Sequence, residues 1–196
     1  NSFRDVNIAL ANELSLICKK LDIDVWDLIE LANMHPRVDI LKPGAGVGGH
    51  CIAVDPWFII DKSPEAELIK QARLINDRIP IEIVEEITNY CEERDDINIG
   101  IYGLTYKANI DDLRESPSME IATKLIDKFP NRVFAVEPHI SGQEEEIKNK
   151  IPLVLHEEAI SKCELIVILV PHQIFKNLFN SVPENLHILD YCGLRR

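Results

Sequence analysis

The sequence contains no apolar run approaching the ~18 residues that a membrane-spanning helix requires, so no span is expected. No basic segment followed by an apolar one opens the chain, so no secretory signal is visible. There is no Cys-x-x-Cys pair, and the five cysteines stand apart at positions 18, 51, 91, 163 and 192. An odd, scattered set argues against a disulfide framework or a cysteine-based zinc site, so no metal is expected and a reducing cytoplasm fits. Positive charge is scarce: 21 Lys and Arg against 33 Asp and Glu give a net charge of −12. Such a chain repels a phosphate backbone, which makes nucleic acid a poor partner. A small anionic ligand stays open, because a few well-placed cations override the net field locally. What is present, 196 residues of which 46% are hydrophobic, suffices to bury a core in one domain or two small ones.

Phe3, Val6, Leu10, Leu14, Ile17 and Leu21 fall at helical spacing. The pattern starts at once with no cap before it, which reads as a helix cut into by the start of the chain. Asp24 is placed to cap a second helix carrying Val25, Leu28, Ile29 and Ala32. Ser63 and Pro64 predict the N-cap and first residue of a third helix, with a stripe of Leu68, Ala72, Ile75, Ile79, Ile83, Ile87 and Tyr90. Pro80 should kink or divide it. Apolar residues on more than one face of this helix, over residues 64–93, suggest a subunit interface as well as a core.

After Asp95 short apolar runs appear at residues 97–102, 133–136, 151–155, 165–170 and 187–189. Helical segments separate them at 117–129, 142–149, 156–162 and 172–179, with Ser116-Pro117 as a helix start. Strands alternating with helices predict an α/β fold. An all-helical dimerisation domain over 1–94 is expected to precede a Rossmann-like domain over 95–196, built on a doubly wound parallel sheet.

Between the second and third helices lies Lys42-Pro43-Gly44-Ala45-Gly46-Val47-Gly48-Gly49-His50-Cys51, with four glycines in six residues. No helix or strand selects that composition; it is a loop for close backbone approach. A helix and Pro43 precede it where a dinucleotide fingerprint requires a strand. Two readings stand: a tight turn, or a nest of amides against a phosphate or sugar. Most cysteines are buried and inert. A thiol behind such a loop can be exposed and activated. Asp55 is four residues on; if Cys51 begins a helix, both fall on one face, where a carboxylate can position water or accept a proton. Asp55 also reads as a cap ahead of Pro56. His50 suits a structural or substrate-contact role. In the sheet, Gly100 and Gly103 do not form a dinucleotide fingerprint. Lys107 and Arg114 are candidates for a diphosphate or are ordinary surface cations. Glu137 either meets a ribose or caps a turn.

The glycine segment through Cys51, Asp55 and Phe58, together with residues 1–12, Arg37 and residues 103–117, resembles the nucleotide-sugar 6-dehydrogenases, which include UDP-glucose and GDP-mannose dehydrogenases. Within that family it is most similar to the branch acting on UDP-N-acetylmannosamine. The resemblance implies three parts: an NAD-binding domain, a helical linker domain and a nucleotide-sugar-binding domain. This chain resembles the last two, so it is expected to be inactive alone. It implies Cys51 as nucleophile, Asp55 as the group assisting water and proton transfer, and Asn1 as an oxyanion donor. It also implies substrate contacts from Lys42, Pro43, Gly44, Ala45, Gly46, Val47, Gly48, Tyr106 and Lys107, with Arg37 reaching a neighbouring subunit's site. Arg114 is implied to touch NAD, held mainly by the missing domain. The implied partners are a UDP-N-acetylhexosamine and a second copy of the chain. Val54 stands where the UDP-glucose enzymes carry a lysine, which argues against glucose. Asp190-Tyr191-Cys192-Gly193 replaces an arginine-containing turn, for which Arg195 or Arg196 is the expected substitute. The other reading is a UDP-sugar-binding and dimerisation module without redox chemistry, or a dehydrogenase for another UDP-N-acetylhexosamine.

Overall fold

A computed structural model describes residues 1–94, 96–140, 147, 150–179, 183 and 186–196. Four helices come first: α1 (Ser2–Leu21), α2 (Val25–Asn33), α3 (Asp55–Lys62) and α4 (Glu67–Glu92). Asp24 caps α2 as expected, its carboxylate accepting the Trp26 and Asp27 amides. The third helix differs from expectation. Ser63 closes α3 instead of opening α4, and its hydroxyl donates to Glu65 at 2.6 Å. Pro80 leaves α4 undivided. Its ring is buried, and Pro80 Cγ would lie 3.1 Å from a Cβ built on Gly46, so the glycine loop packs against it.

The apolar stripe of α1 turns away from the chain's own core: Phe3, Leu10, Ile17 and Leu21 are exposed. The buried face carries Asp5, Ala9 and Asn12 against α4. These polar groups are satisfied mainly by one another and by α4. Arg73 Nη1 donates to Asp5 Oδ1 at 2.5 Å, Asn76 donates to Asp5 Oδ1 at 2.8 Å, and Asn12 Nδ2 donates to Asn76 Oδ1 at 2.9 Å. Burial pushes the Asp5 carboxyl above its usual pKa, against the opposing pull of Arg73 and Asn76.

The second half holds β1 (Ile99–Tyr102), α5 (Pro117–Lys128), β2 (Val133–Val136), α6 (His156–Lys162), β3 (Leu165–Ile168), α7 (Phe175–Leu178) and β4 (His187–Asp190). The expected helix over 142–149 lies outside the described residues, Ile147 apart. The run at 151–155 makes a single bridge, Leu153 to Ala135, and no ladder strand. The strands form one parallel sheet in the order β2-β1-β3-β4, with Ile99 opposite both Val133 and Leu165. Alternation across the sheet is clear. Ile99, Ile101, Leu165 and Val167 share a core with Ile79, Ile83 and Ile87 of α4. Tyr102, Ile166 and Ile168 pack on the other face with Phe175 and Phe179. The core on the first face is thus continuous with the long helix. Parallel strands end together, so the turns after β1, β2 and β3 gather at one edge, beside the glycine loop.

Candidate active site

The glycine loop is hung from α1 and α2 by asparagines. Asn7 donates to the Asp39 carbonyl and accepts the Leu41 amide, both at 2.9 Å. Asn33 brackets Ile40 in the same way, and Asn12 accepts the Gly44 amide at 3.0 Å. Each carboxamide replaces hydrogen bonds that an irregular segment cannot make to itself. These three residues were not singled out from the sequence. The available signal was asparagine on helix faces, where its propensity is low.

The loop's glycines face the sheet half. A side chain at Gly48 would meet the Glu115 carbonyl oxygen at 2.3 Å and Tyr106 Cβ at 2.7 Å. At Gly49 it would meet the Tyr106 ring at 2.8 Å, and at Gly46 it would meet Pro117 at 2.9 Å. The Gly49 amide donates to the Arg114 carbonyl at 3.2 Å. The close approach that Gly46, Gly48 and Gly49 permit is therefore to the chain itself. Gly44 alone has open space beside it.

Cys51 is exposed, whereas Cys18, Cys91, Cys163 and Cys192 are buried. Burial raises the thiols of Cys91 and Cys163, the latter to about 12. The Cys51 carbonyl accepts the Asp55 amide at 2.8 Å, so a helical turn links the two residues. Asp55 opens α3, and its Oδ2 accepts Asn1 Nδ2 at 2.5 Å across 54 positions of sequence. The N-cap of α1 is thereby joined to the first residue of α3, one turn beyond the thiol.

Arg114 is exposed and held by Asp112 through three contacts of 2.6–3.0 Å. The pairing holds Asp112 down to about 2. Arg114 is held above its ordinary value, first by Asp112 and then by the nearby Tyr106 and Cys51. Asp112, Arg114 and Met119 also line a cavity of about 550 Å³. Tyr106 is half-buried on the glycines, and Lys107 is exposed. Lys42 and Arg37 are exposed, Pro43 and Ala45 are buried, and Val47 is intermediate. Arg37 sits in the segment before the loop, its amide donating to His35.

Of the two readings of Glu137, the structure takes the turn cap. Its side chain is fully buried and accepts the Leu104 amide at 2.7 Å, the His139 amide at 2.9 Å and a contact from His172 Nε2 at 3.1 Å. No room is left for a ribose; it staples the turn after β1 to that after β2. Burial alone would raise its pKa, but His172 and the amides outweigh it and hold it below 4.5. The late arginines separate. Arg196 pairs with Asp24, the N-cap of α2, and with Asp27 in its first turn, which ties this segment to that helix. Trp26 packs against Gly193 beside it.

Residues 1–78 match the central domain of the UDP-glucose/GDP-mannose dehydrogenase family, and residues 100–193 match that family's UDP binding domain. A UDP-N-acetyl-D-mannosamine dehydrogenase of Campylobacter jejuni is 49% identical over 89% of this chain and 44% of its own length. An NDP-N-acetyl-D-galactosaminuronic acid dehydrogenase of Ralstonia solanacearum is 46% identical over 99% of this chain and 46% of its own. Among solved structures, the UDP-N-acetyl-mannosamine dehydrogenase Cap5O from S. aureus superposes with a TM-score of 0.80 at 38% identity, covering 99% of this chain and 50% of that one. The chain spans about half the length of the relatives it matches. Two family models that between them take in both the cysteine turn and the parallel sheet leave one conclusion: the chain belongs to the UDP-glucose/GDP-mannose dehydrogenase family.

Proposed function

We propose that this chain supplies the thiol and the nucleotide-sugar-binding half of an NAD-dependent UDP-N-acetyl-D-mannosamine 6-dehydrogenase, which oxidises the sugar C6 alcohol to a carboxylate. The observation that carries the reading is one exposed thiol, Cys51, a helical turn ahead of a carboxylate that Asn1 holds. The close packing of Val170 on the turn after β1 supports a dinucleotide site elsewhere. Gly103, after β1, has Val170 Cβ at 2.4 Å from where its own Cβ would stand, and Gly100 faces Ile166 at 2.9 Å. The oxidant is therefore held elsewhere, with Arg114 at its margin, and the chain is inactive alone. When bound, NAD would supply the oxidising capacity, two molecules in succession each taking one hydride.

The work of this chain is covalent and positional. Cys51 as thiolate adds to the C6 aldehyde carbon, and the new alkoxide takes a hydrogen bond from Asn1. Loss of hydride leaves a thioester on Cys51. Asp55 takes a proton from water as the water attacks that carbonyl, and the thiolate leaves, giving the carboxylate. Lys42, Gly44 and Lys107 border the face on which the sugar nucleotide lies. A reducing, cytoplasmic setting suits five free cysteines, and no helix among the described residues is long and apolar enough to cross a membrane.

The experiment is alkylation of the folded chain under native conditions. One thiol per chain should react quickly, and peptide mapping should find it at Cys51; preferential labelling of any other cysteine would overturn the assignment. The same proposal includes pairing of two copies through residues 64–93, where Leu68, Leu74 and Ile81 are exposed on α4. Sedimentation should give the dimer mass, and a monomer at tens of micromolar would count against that pairing.

A further inference from the structure

We infer that Tyr106 is a positioning residue for Cys51: its ring, seated on the bare backbone of Gly48 and Gly49, holds the cysteine turn in place from the opposite half of the chain. The inference rests on the thiol reading above and assigns the ring a different task from contact with substrate.

Three observations carry it. First, the fit is close on both sides. A Cβ at Gly48 would stand 2.7 Å from Tyr106 Cβ, and one at Gly49 would stand 2.8 Å from Cε2 and 3.0 Å from Cζ. The φ of +84° at Gly49 independently excludes most side chains there. The two glycines are bare where the ring needs them to be. Second, the ring's own frame is fixed. The Tyr106 amide donates to the Asp112 carbonyl at 3.1 Å, and the Leu104 amide is held by buried Glu137. Thr105 is fully buried, and Ser116 Oγ donates to the Leu104 carbonyl at 2.6 Å. The platform is thus tied to the carboxyl ends of β1 and β2. Third, the loop is tied to the same segment by the Gly49 amide on the Arg114 carbonyl at 3.2 Å. Only His50 separates Gly49 from Cys51, whose carbonyl starts the turn to Asp55. A loop that slides on Tyr106 carries the thiol and the carboxylate with it. Misplacement of a reacting group by about 1 Å can cost ~100-fold in rate.

The test compares Tyr106→Ala and Tyr106→Phe. In the complete dehydrogenase, Tyr106→Ala should lower kcat about 100-fold with KM within threefold. Tyr106→Phe keeps the ring and should stay within threefold of the native rate. In the free chain without substrate, amide exchange at Gly49 should be at least about tenfold faster in Tyr106→Ala and unchanged in Tyr106→Phe. A raised KM with native kcat and native exchange at Gly49 would assign the ring to substrate and overturn the inference. So would a Tyr106→Phe variant as damaged as the alanine one, since the hydroxyl would then be the acting group. If the alanine variant does not fold, Tyr106→Leu, checked by its melting curve, is held to the same criteria. Exchange needs no turnover, so the two readings fail separately. Normal uronate formation by Cys51→Ala removes the thiol reading and leaves the exchange result standing. Unchanged exchange in Tyr106→Ala removes positioning and leaves the thiol.

Discussion

Cys51→Ala in the complete dehydrogenase is expected to lower uronate formation by at least about 1,000-fold, since the loss of a covalent nucleophile commonly costs more than that. The reason is chemical. An aldehyde has no hydride to give until a nucleophile has added to its carbonyl, and the alanine methyl cannot add. Cys18, Cys91, Cys163 and Cys192 are all buried, so no other thiol of this chain can substitute. The fold should survive, because the Cys51 side chain is exposed and Asp55 keeps both its backbone bond to residue 51 and its Asn1 partner. The measurement is a progress curve for uronate in the variant and the native enzyme at saturating sugar nucleotide, with melting curves alongside. A variant that formed uronate at the native rate would show that the nucleophile lies elsewhere.

The largest effect on stability is expected at Arg73, the buried cation between α1 and α4. Arg73 is 1% exposed and Asp5 0%. Among the described residues Asp5 Oδ2 and Arg73 Nε have no hydrogen-bond partner, so without Arg73 the Asp5 side chain keeps only the Asn76 carboxamide. Arg73→Ala leaves a carboxylate stranded in the interior, which typically costs about 3–5 kcal/mol. For a chain of this size each kcal/mol lowers Tm by roughly 2–4 °C. A drop of roughly 6–20 °C is therefore expected, with the urea midpoint falling in step. The double replacement Asp5→Leu with Arg73→Met should recover most of it, because apolar groups of similar volume need no partner. A single variant that lost less than about 1 kcal/mol would mean that the Asp5 carboxyl is satisfied without Arg73. This pair also bears on the site. Asn76 joins Asp5 to Asn12, and Asn12 holds the Gly44 amide, so loosening α1 from α4 loosens the root of the glycine loop.

Much of this molecule was legible before any coordinates. The runs at 133–136 and 187–189, the end of that at 97–102 and the start of that at 165–170 form the four strands; β1 and β3, buried on both faces, read as unbroken apolar stretches. Ser116-Pro117 starts α5 and Asp24 caps α2, since capping is a matter of neighbouring atoms. Two expectations gave way to tertiary context, and one open choice was decided by it. Ser63 and Pro64 carry helix-start chemistry but close α3. Of the two outcomes expected at Pro80, division of α4 does not occur, and the bare Gly46 faces the proline ring. Glu137 was open between a ribose contact and a turn cap; it caps the turn through the His139 amide, and His172, 35 positions on, buries it.

What the sequence alone determined is the parallel sheet, the caps of α2 and α5, and the presence of a cysteine behind a backbone too bare to be helix or strand. These depend on periodicity and on chemistry within a few residues. The tertiary structure decided which face of α1 is inside and what fills the space above the glycines. Asp5 meets Arg73 across 68 positions, and Asp5 and Asn12 are buried while Phe3, Leu10, Ile17 and Leu21 stay outside. Tyr106 reaches Gly48 and Gly49 from the other half of the chain. No local pattern encodes such meetings, because their free energy exists only once both segments have folded against each other.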